Sequence, residues 1–398
     1  MATLLSIAEA QRLILERARP LSAEAVSLER AGGRVLAEPA RAVVDLPPFP
    51  SSAMDGYAVR AADTPGRLPV VARIAAGGPA ANPLQAGQAM GIATGGVVPD
   101  GADAVIPFEY VVAHDNAIEI GAPVEMGANV RPQGGDIHAG EVVAQSGVAL
   151  TPARLGALAA AGIAEVSCVR QPRAAVVPTG TELRRPGEAL APGEVYEANG
   201  LILSAQLAQA GAVAELLPAV GDDEAAHRAA LERALEADVV VTSGGVSVGP
   251  HDLVRRVEAE LGVEEVFWRV AVKPGKPIAF GVRDATLVFG LPGNPVSALV
   301  GFELFVRPAI GALQGVREPL PSFERGRLDG GPRRRNPERD ELFRARLRTG
   351  ADGAVLEPLS GQESHMIARA ADAEALVYVP RGEGEVAEGA FVDFLRLP

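Results

Sequence analysis

Cysteine is nearly absent: Cys168 is the single thiol in 398 residues. One cysteine excludes an internal disulfide and a thiolate metal cluster, and it fits a reducing, cytoplasmic setting. Within the apolar segment 164–169 it reads as a small core residue. Aromatic residues are scarce at 4 %, although 48 % of the chain is hydrophobic and 22 % charged, a globular balance. Basic residues are outnumbered, 37 against 50 acidic, for a net charge of −13. A general nucleic-acid binder shows the opposite balance, and an anionic substrate would need a local basic pocket held against the global field. No apolar run reaches the ~18 residues of a membrane span. The first residues are interrupted early by Glu9, Arg12 and Glu16, so they read as an amphipathic helix and not as a signal peptide. None of the histidines (His114, His138, His227, His251, His365) pairs as H-x-x-x-H or H-x-H, which removes a zinc-hydrolase site.

The length predicts two to four domains. Residues 1–54 with 140–172 form a helical and linker N-terminal domain, in which 1–45 patterns as helices and short loops, with Ser22 ahead of Glu24 and Leu28. Residues 55–139 read as an inserted β-rich domain of short apolar pieces (70–74, 104–107, 117–120) punctuated by Gly and Pro. Thr151 and Pro152 open a helix over 151–161. From 173 to 318 the rhythm is β-α: strands at 174–178, 213–218, 238–242, 266–272 and 287–290, helices at 199–211, 223–236, 250–261 and 295–313. The 238–242 strand has no polar face, as in the middle of a parallel sheet, so the fold class is α/β with a doubly wound open sheet. Residues 319–398 read as a C-terminal β domain, with the basic run 333–335 in a solvated loop.

Doubly wound sheets bind ligands at the C-terminal ends of their strands. After 238–242 come Ser243, Gly244, Gly245, Ser247 and Asp252, with a helix beginning near Pro250. Free N–H groups and a positive helix end suit a phosphate, and the serines and Asp252 add hydroxyls and a carboxylate. The glycines alone would serve a plain strand-to-helix turn equally well. Lys273 and Lys276 flank a Pro-Gly turn that projects two cations toward one place, an arrangement for an oxyanion or diphosphate, although two surface lysines would read the same. In 291–297 (LPGNPVS), Asn294 and Pro295 form a helix-capping pattern. Carboxylates recur in the loops: Asp222 or Asp223, Glu182, Asp252, and elsewhere Asp55 and Asp136. Several carboxylates near phosphates suit magnesium.

Seven segments stand in order: MDGYAV (54–59), ATGGVVPDGADAV (93–105), RPQGGDI (131–137), PTGTEL (178–183), TSGGVSVG (242–249) with Asp252, KPGKP (273–277) and LPGNPVS (291–297). Together they resemble the MoeA family of molybdopterin molybdenumtransferases, whose animal counterpart is the C-terminal domain of gephyrin. The resemblance implies an elongated homodimer with its active site in a cleft between subunits. It implies a reaction in which adenylylated molybdopterin and molybdate yield molybdenum cofactor and AMP, assisted by magnesium. By the same resemblance, Ser243, Gly244, Gly245 and Ser247 hold the pterin phosphate region, together with Glu182. Asp223 and Asp252 lie near the metal or pterin, and Lys273, Lys276, Pro292, Pro295 and Ser297 surround molybdate. Asp55 and Thr94 complete the cleft from the other subunit, and 339–344 with Ser364 and His365 resembles a further anion-contacting part. A molybdopterin adenylyltransferase and molybdoenzymes are the implied protein partners. The chain departs from the family at Gly135, where a glutamate is usual. Two alternatives stand beside this reading. The β-α portion also resembles the MoaB/MogA-like adenylylating proteins of the same pathway, and gephyrin-type domains also act as scaffolds.

Overall fold

The computed structural model describes residues 4–245, 253–350 and 353–397. Its centre is a six-stranded sheet in the order Val213–Leu216, Arg173–Pro178, Val239–Ser243, Thr286–Leu291, Ala279–Arg283, Glu264–Trp268. The first four strands run parallel, Ala279–Arg283 runs against them, and Glu264–Trp268 is antiparallel to Ala279–Arg283. Successive side chains of a strand point to opposite faces, so an all-apolar strand must be covered on both. Val239 and Val241 join one core with Leu203, Leu207 and Phe289, while Val240 joins another with Val177, Ala234 and Val288. Helix Asn199–Gln209 supplies the first face and Glu224–Ala234 the second, which is the doubly wound arrangement.

The first core extends into the helical stretch Pro295–Leu313, where Phe302, Leu304, Phe305 and Val306 are fully buried. Its 19 residues are long and apolar enough to cross a membrane, but 78 % of that window is buried inside the fold, as in a core helix. The middle, Phe302–Val306, is a π-helix. Pro308 has no N–H to offer the Leu304 carbonyl, and that carbonyl accepts Gln11 Nε2 at 3.0 Å instead.

Two sequence expectations are corrected here. The single strand expected over 266–272 is two strands in two sheets. Glu264–Trp268 pairs with Ala279–Arg283, the chain turns at Arg269 (φ 81), and Val272–Lys273 pairs with the C-terminal sheet. The helical pattern read around 22–28 is a strand, Ala23–Ser27, antiparallel to Glu165–Val169. That pairing across the chain outweighs local propensity. It also buries Cys168 completely, and burial raises its thiol pKa, so it is the core residue expected.

The first helix, Ile7–Leu15, begins on a Ser6–Glu9 capping box and inserts Ala10 and Ile14 into the central core. Between the N-terminal segments lies a second six-stranded sheet, in the order Ala104–Pro107, Gly56–Val59, Ala89–Ile92, Gly66–Ile74, Ala117–Ile120, Val111–His114. Tyr57 and Val59 pack on one face of it and Ala58 on the other. At the C-terminus, Asp340–Gly350 pairs with both Gly353–Pro358 and Ala375–Val379, so that sheet curls back on itself as a barrel-like unit.

Candidate active site

The parallel strands Arg173–Pro178, Val239–Ser243 and Thr286–Leu291 end side by side, and the loops leaving them are tied together. Thr179 donates its N–H to Ser243 O at 2.9 Å, and Gly244 donates to Leu291 O at 3.0 Å. Buried Asn199 spans two of the loops, donating to Ser243 Oγ at 2.7 Å and to Gly293 O at 2.8 Å. Gly244 has φ +96°, and a Cβ there would lie 2.6 Å from Thr179 O. Gly245 has φ +65°, and its Cβ would lie 2.4 Å from Val254 Cγ2. The backbone contact admits only glycine at Gly244, and at Gly245 a side chain would be strained and would have to displace Val254.

These loops border a cleft of about 390 Å³ whose walls include Gly180, Glu182, Asp222, His227, Gly245 and Pro292. Expected residues divide into those that face it and those that support it. Glu182, Gly244, Gly245 and Pro292 line it. Ser243 is buried, its hydroxyl held by Asn199. Pro295 is the first residue of its helix, and Ser297 is buried in that helix. The neighbouring Val296 N–H donates to Ser364 O at 3.0 Å, which brings the 364 loop against 291–297. Asp223 caps Glu224–Ala234 by accepting the Ala226 N–H at 2.7 Å, while Asp222 lines the cleft. Ser247 and Asp252 lie outside the described residues.

The two lysines do not converge on this cleft. Val272–Lys273 is drawn onto Asp340–Glu341 as a short parallel pair, and Lys273 Nζ lies 3.2 Å from Glu341 Oε1. Lys273 thus borders a separate open cavity of about 770 Å³ with Arg333 and Arg334. Arg333 is not the solvated loop cation expected: it stacks over Phe343 at 3.8 Å and is partly buried. Lys276 is partly buried beside Pro277, which lines the strand-end cleft. In the second sheet the structure joins two distant motifs: Asp55 Oδ1 accepts the Thr94 N–H at 2.8 Å. Neither residue lines the cleft of its own chain.

His227 was not singled out by sequence reasoning. It follows the N-cap Asp223 by one helical turn, the only signal that it faces the same loop. It is 2 % exposed, and its Nδ1 has no partner among the described residues. Burial lowers its pKa, against the opposing pull of Asp222, the Gly221 backbone and Asp223. The folded state therefore favours the neutral imidazole, and stability is complete above the unfolded value near 6.5 and declines as pH falls below it. Thermal unfolding at about pH 7.5 and 5.5 should show His227→Leu losing less stability between the two than the unsubstituted protein. Equal losses would refute the assignment.

Residues 5–162 match the sequence model of the MoeA N-terminal region (domain I and II), and residues 330–397 that of the MoeA C-terminal region (domain IV). Between them, residues 175–312 match a probable molybdopterin binding domain. The chain belongs to the MoeA family. It is 37 % identical over 399 residues to molybdopterin molybdenumtransferase 2 of Mycobacterium tuberculosis, covering 96 % of this chain and 97 % of that one. It is 38 % identical over 320 residues to the molybdopterin molybdenumtransferase of Haemophilus influenzae, covering 79 % of each. A molybdopterin biosynthesis MoeA protein from Pyrococcus horikoshii superposes with a TM-score of 0.85 at 29 % identity, over 99 % of this chain and 100 % of that one. The three matched regions account for the MoeA-family order seen here: an inserted β-rich sheet, a doubly wound sheet and a barrel-like C-terminal unit.

Proposed function

We propose that this chain is a molybdopterin molybdenumtransferase, a transferase that uses adenylylated molybdopterin and molybdate to make molybdenum cofactor and release AMP. The observation that carries the reading is the strand-end cleft, walled by Glu182, Asp222 and the Gly244–Gly245 backbone, in a chain matched to MoeA-family regions along nearly its whole length. The glycines let the backbone approach a phosphate closely, and the tied loops fix that approach in advance of binding.

Glu182 and Asp222 are oxygen donors on one cleft, which fits magnesium, an ion held through one or two carboxylates plus phosphate oxygens. Bound there, with Asp252 as a further candidate and Asp223 beside it, magnesium would neutralise charge on the leaving phosphate. Lys276 beside the strand-end cleft, and Lys273 on the neighbouring cavity with Arg333 and Arg334, are the cations offered to molybdate in a protein whose net charge is −13. Asp55 and Thr94 stand together but off the cleft of their own chain, which supports a homodimer in which the partner supplies them. We place the protein in the cytoplasm, with a molybdopterin adenylyltransferase upstream and molybdoenzymes as acceptors.

AMP release from adenylylated molybdopterin, measured with and without molybdate and magnesium, tests the reading. Release should depend on molybdate, and Lys276→Ala and Asp252→Ala should each lower it about 30-fold, the value of one charge-assisted contact. ATP consumption in place of molybdate-dependent release would favour the adenylylating alternative.

A further inference from the structure

Lys273 carries an internal competitor. Its two-residue strand is in register with Asp340–Glu341, so Lys273 and Glu341 are direct partners across a parallel pair. Parallel partners project to the same side, and Nζ and Oε1 meet at 3.2 Å. The Glu341 side chain is 15 % exposed and that of Lys273 46 %, so the carboxylate is the fixed member and the ammonium the accessible one. Both border the open cavity with Arg333, Arg334 and Asp329. The charge of Glu341 also reaches Arg333, where it opposes the burial that disfavours the guanidinium. Two other acids stand on that wall, Asp329 and Glu357, and the second is engaged by Arg348.

A cation already paired is a poorer anion site than a free one, because an arriving oxyanion must displace the resident carboxylate. We propose that Glu341 is the internal counter-ion of Lys273, a positioning residue that sets the affinity of the site for molybdate by competing with it. The pairing holds the Lys273 ammonium against Glu341 on the cavity wall. It also means that oxyanion binding releases Glu341 toward Arg333. The inference rests on the reading that Lys273 takes part in holding molybdate.

The experiment is equilibrium dialysis of the full-length protein against molybdate alone, with metal counted on both sides, for Glu341→Gln, Glu341→Asp and Lys273→Ala. Glu341→Gln keeps the shape and removes the charge. It should tighten molybdate binding about two- to fivefold, the worth of one partly exposed opposing charge. The gain should shrink as ionic strength rises. In turnover the KM for molybdate should fall while kcat does not rise. Glu341→Asp keeps the charge and should not tighten binding. If Glu341 merely braces the strand pair, Glu341→Gln will weaken binding or leave it unchanged, and either outcome overturns the proposal. Lys273→Ala separates the two ideas. Unchanged molybdate binding in that variant removes Lys273 from the site altogether. Weakened binding there, without a gain in Glu341→Gln, removes the counter-ion role alone.

Discussion

Gly244→Ala should leave less than about one-hundredth of the molybdate-dependent AMP release, the largest loss expected from any single methyl group in the strand-end loops. The backbone at Gly244 has φ +96°, a region that costs an ordinary residue roughly 1–2 kcal/mol. The new Cβ would also lie 2.6 Å from Thr179 O and 2.7 Å from Thr179 Oγ1. The first of these is backbone and cannot swing aside, so overpacking adds about 1–3 kcal/mol. Relief requires the loop to move. The Gly244 N–H to Leu291 O bond and the Thr179 bonds to Ser243 O would go with it, and with them the alignment of three strand ends. A shift of about 1 Å at a positioning loop is worth roughly a hundredfold in rate. Gly293→Ala is the matched control, because its Cβ would meet Gly244 Cα at 3.6 Å, an ordinary contact. It should keep its fold and thermal stability, which separates the clash at Gly244 from the mere addition of a methyl group to this cleft. A Gly244→Ala protein that works at more than half the normal rate would mean that these loops do not hold the substrate.

Much of this site was legible because strand ends announce themselves. Val239–Ser243 has no polar face, so its burial in the middle of a sheet followed from its residues alone. Thr151 and Pro152 foretold their helix in the same local way, since a cap is a contact between residues three apart. What failed was what depends on distant partners. Ala23–Ser27 carries a helix-like pattern, and it becomes a strand only because Glu165–Val169 pairs with it. Val272–Lys273 is too short for any periodicity, yet its pairing with Asp340–Glu341 decides where Lys273 goes. Two lysines beside one Pro-Gly turn therefore part company: one is claimed by the C-terminal sheet and the other stays beside the cleft. The Asp55–Thr94 contact shows the intermediate case, where both residues stood out in the sequence but nothing local joined them. His227 was invisible because an unpaired buried nitrogen is a property of surroundings and not of spelling.

Gly56→Ala should unfold the β-rich sheet, at a cost of at least about 3 kcal/mol, the upper end of overpacking penalties. Gly56–Val59 is buried along its length and runs between Ala104–Pro107 and Ala89–Ile92. A Cβ on Gly56 would lie 2.0 Å from Ile106 O and 2.8 Å from Ile106 C. Both are backbone atoms of the paired strand, so no rotamer change removes the clash. The two strands would have to separate where Gly56 faces Pro107 and Tyr57 faces Ile106. Tyr57 and Ile106 both belong to the core on one face of this sheet, and Ala58 with Val105 to the core on the other, so separation opens both. The doubly wound sheet has its own cores and should survive, giving an unfolding profile with an early transition instead of a single shifted one. Limited proteolysis should then cut within residues 55–139 while the 173–318 segment stays intact. Gly121→Ala, at the end of Ala117–Ile120 with open space around its Cβ, should behave as the unsubstituted protein does. Because Asp55 immediately precedes Gly56, the same variant should also lose the Asp55–Thr94 hydrogen bond. If that pair completes the cleft of a partner subunit, activity in Gly56→Ala should fall while molybdate binding to the protein persists. Loss of both together would tie the second sheet to the oxyanion site itself.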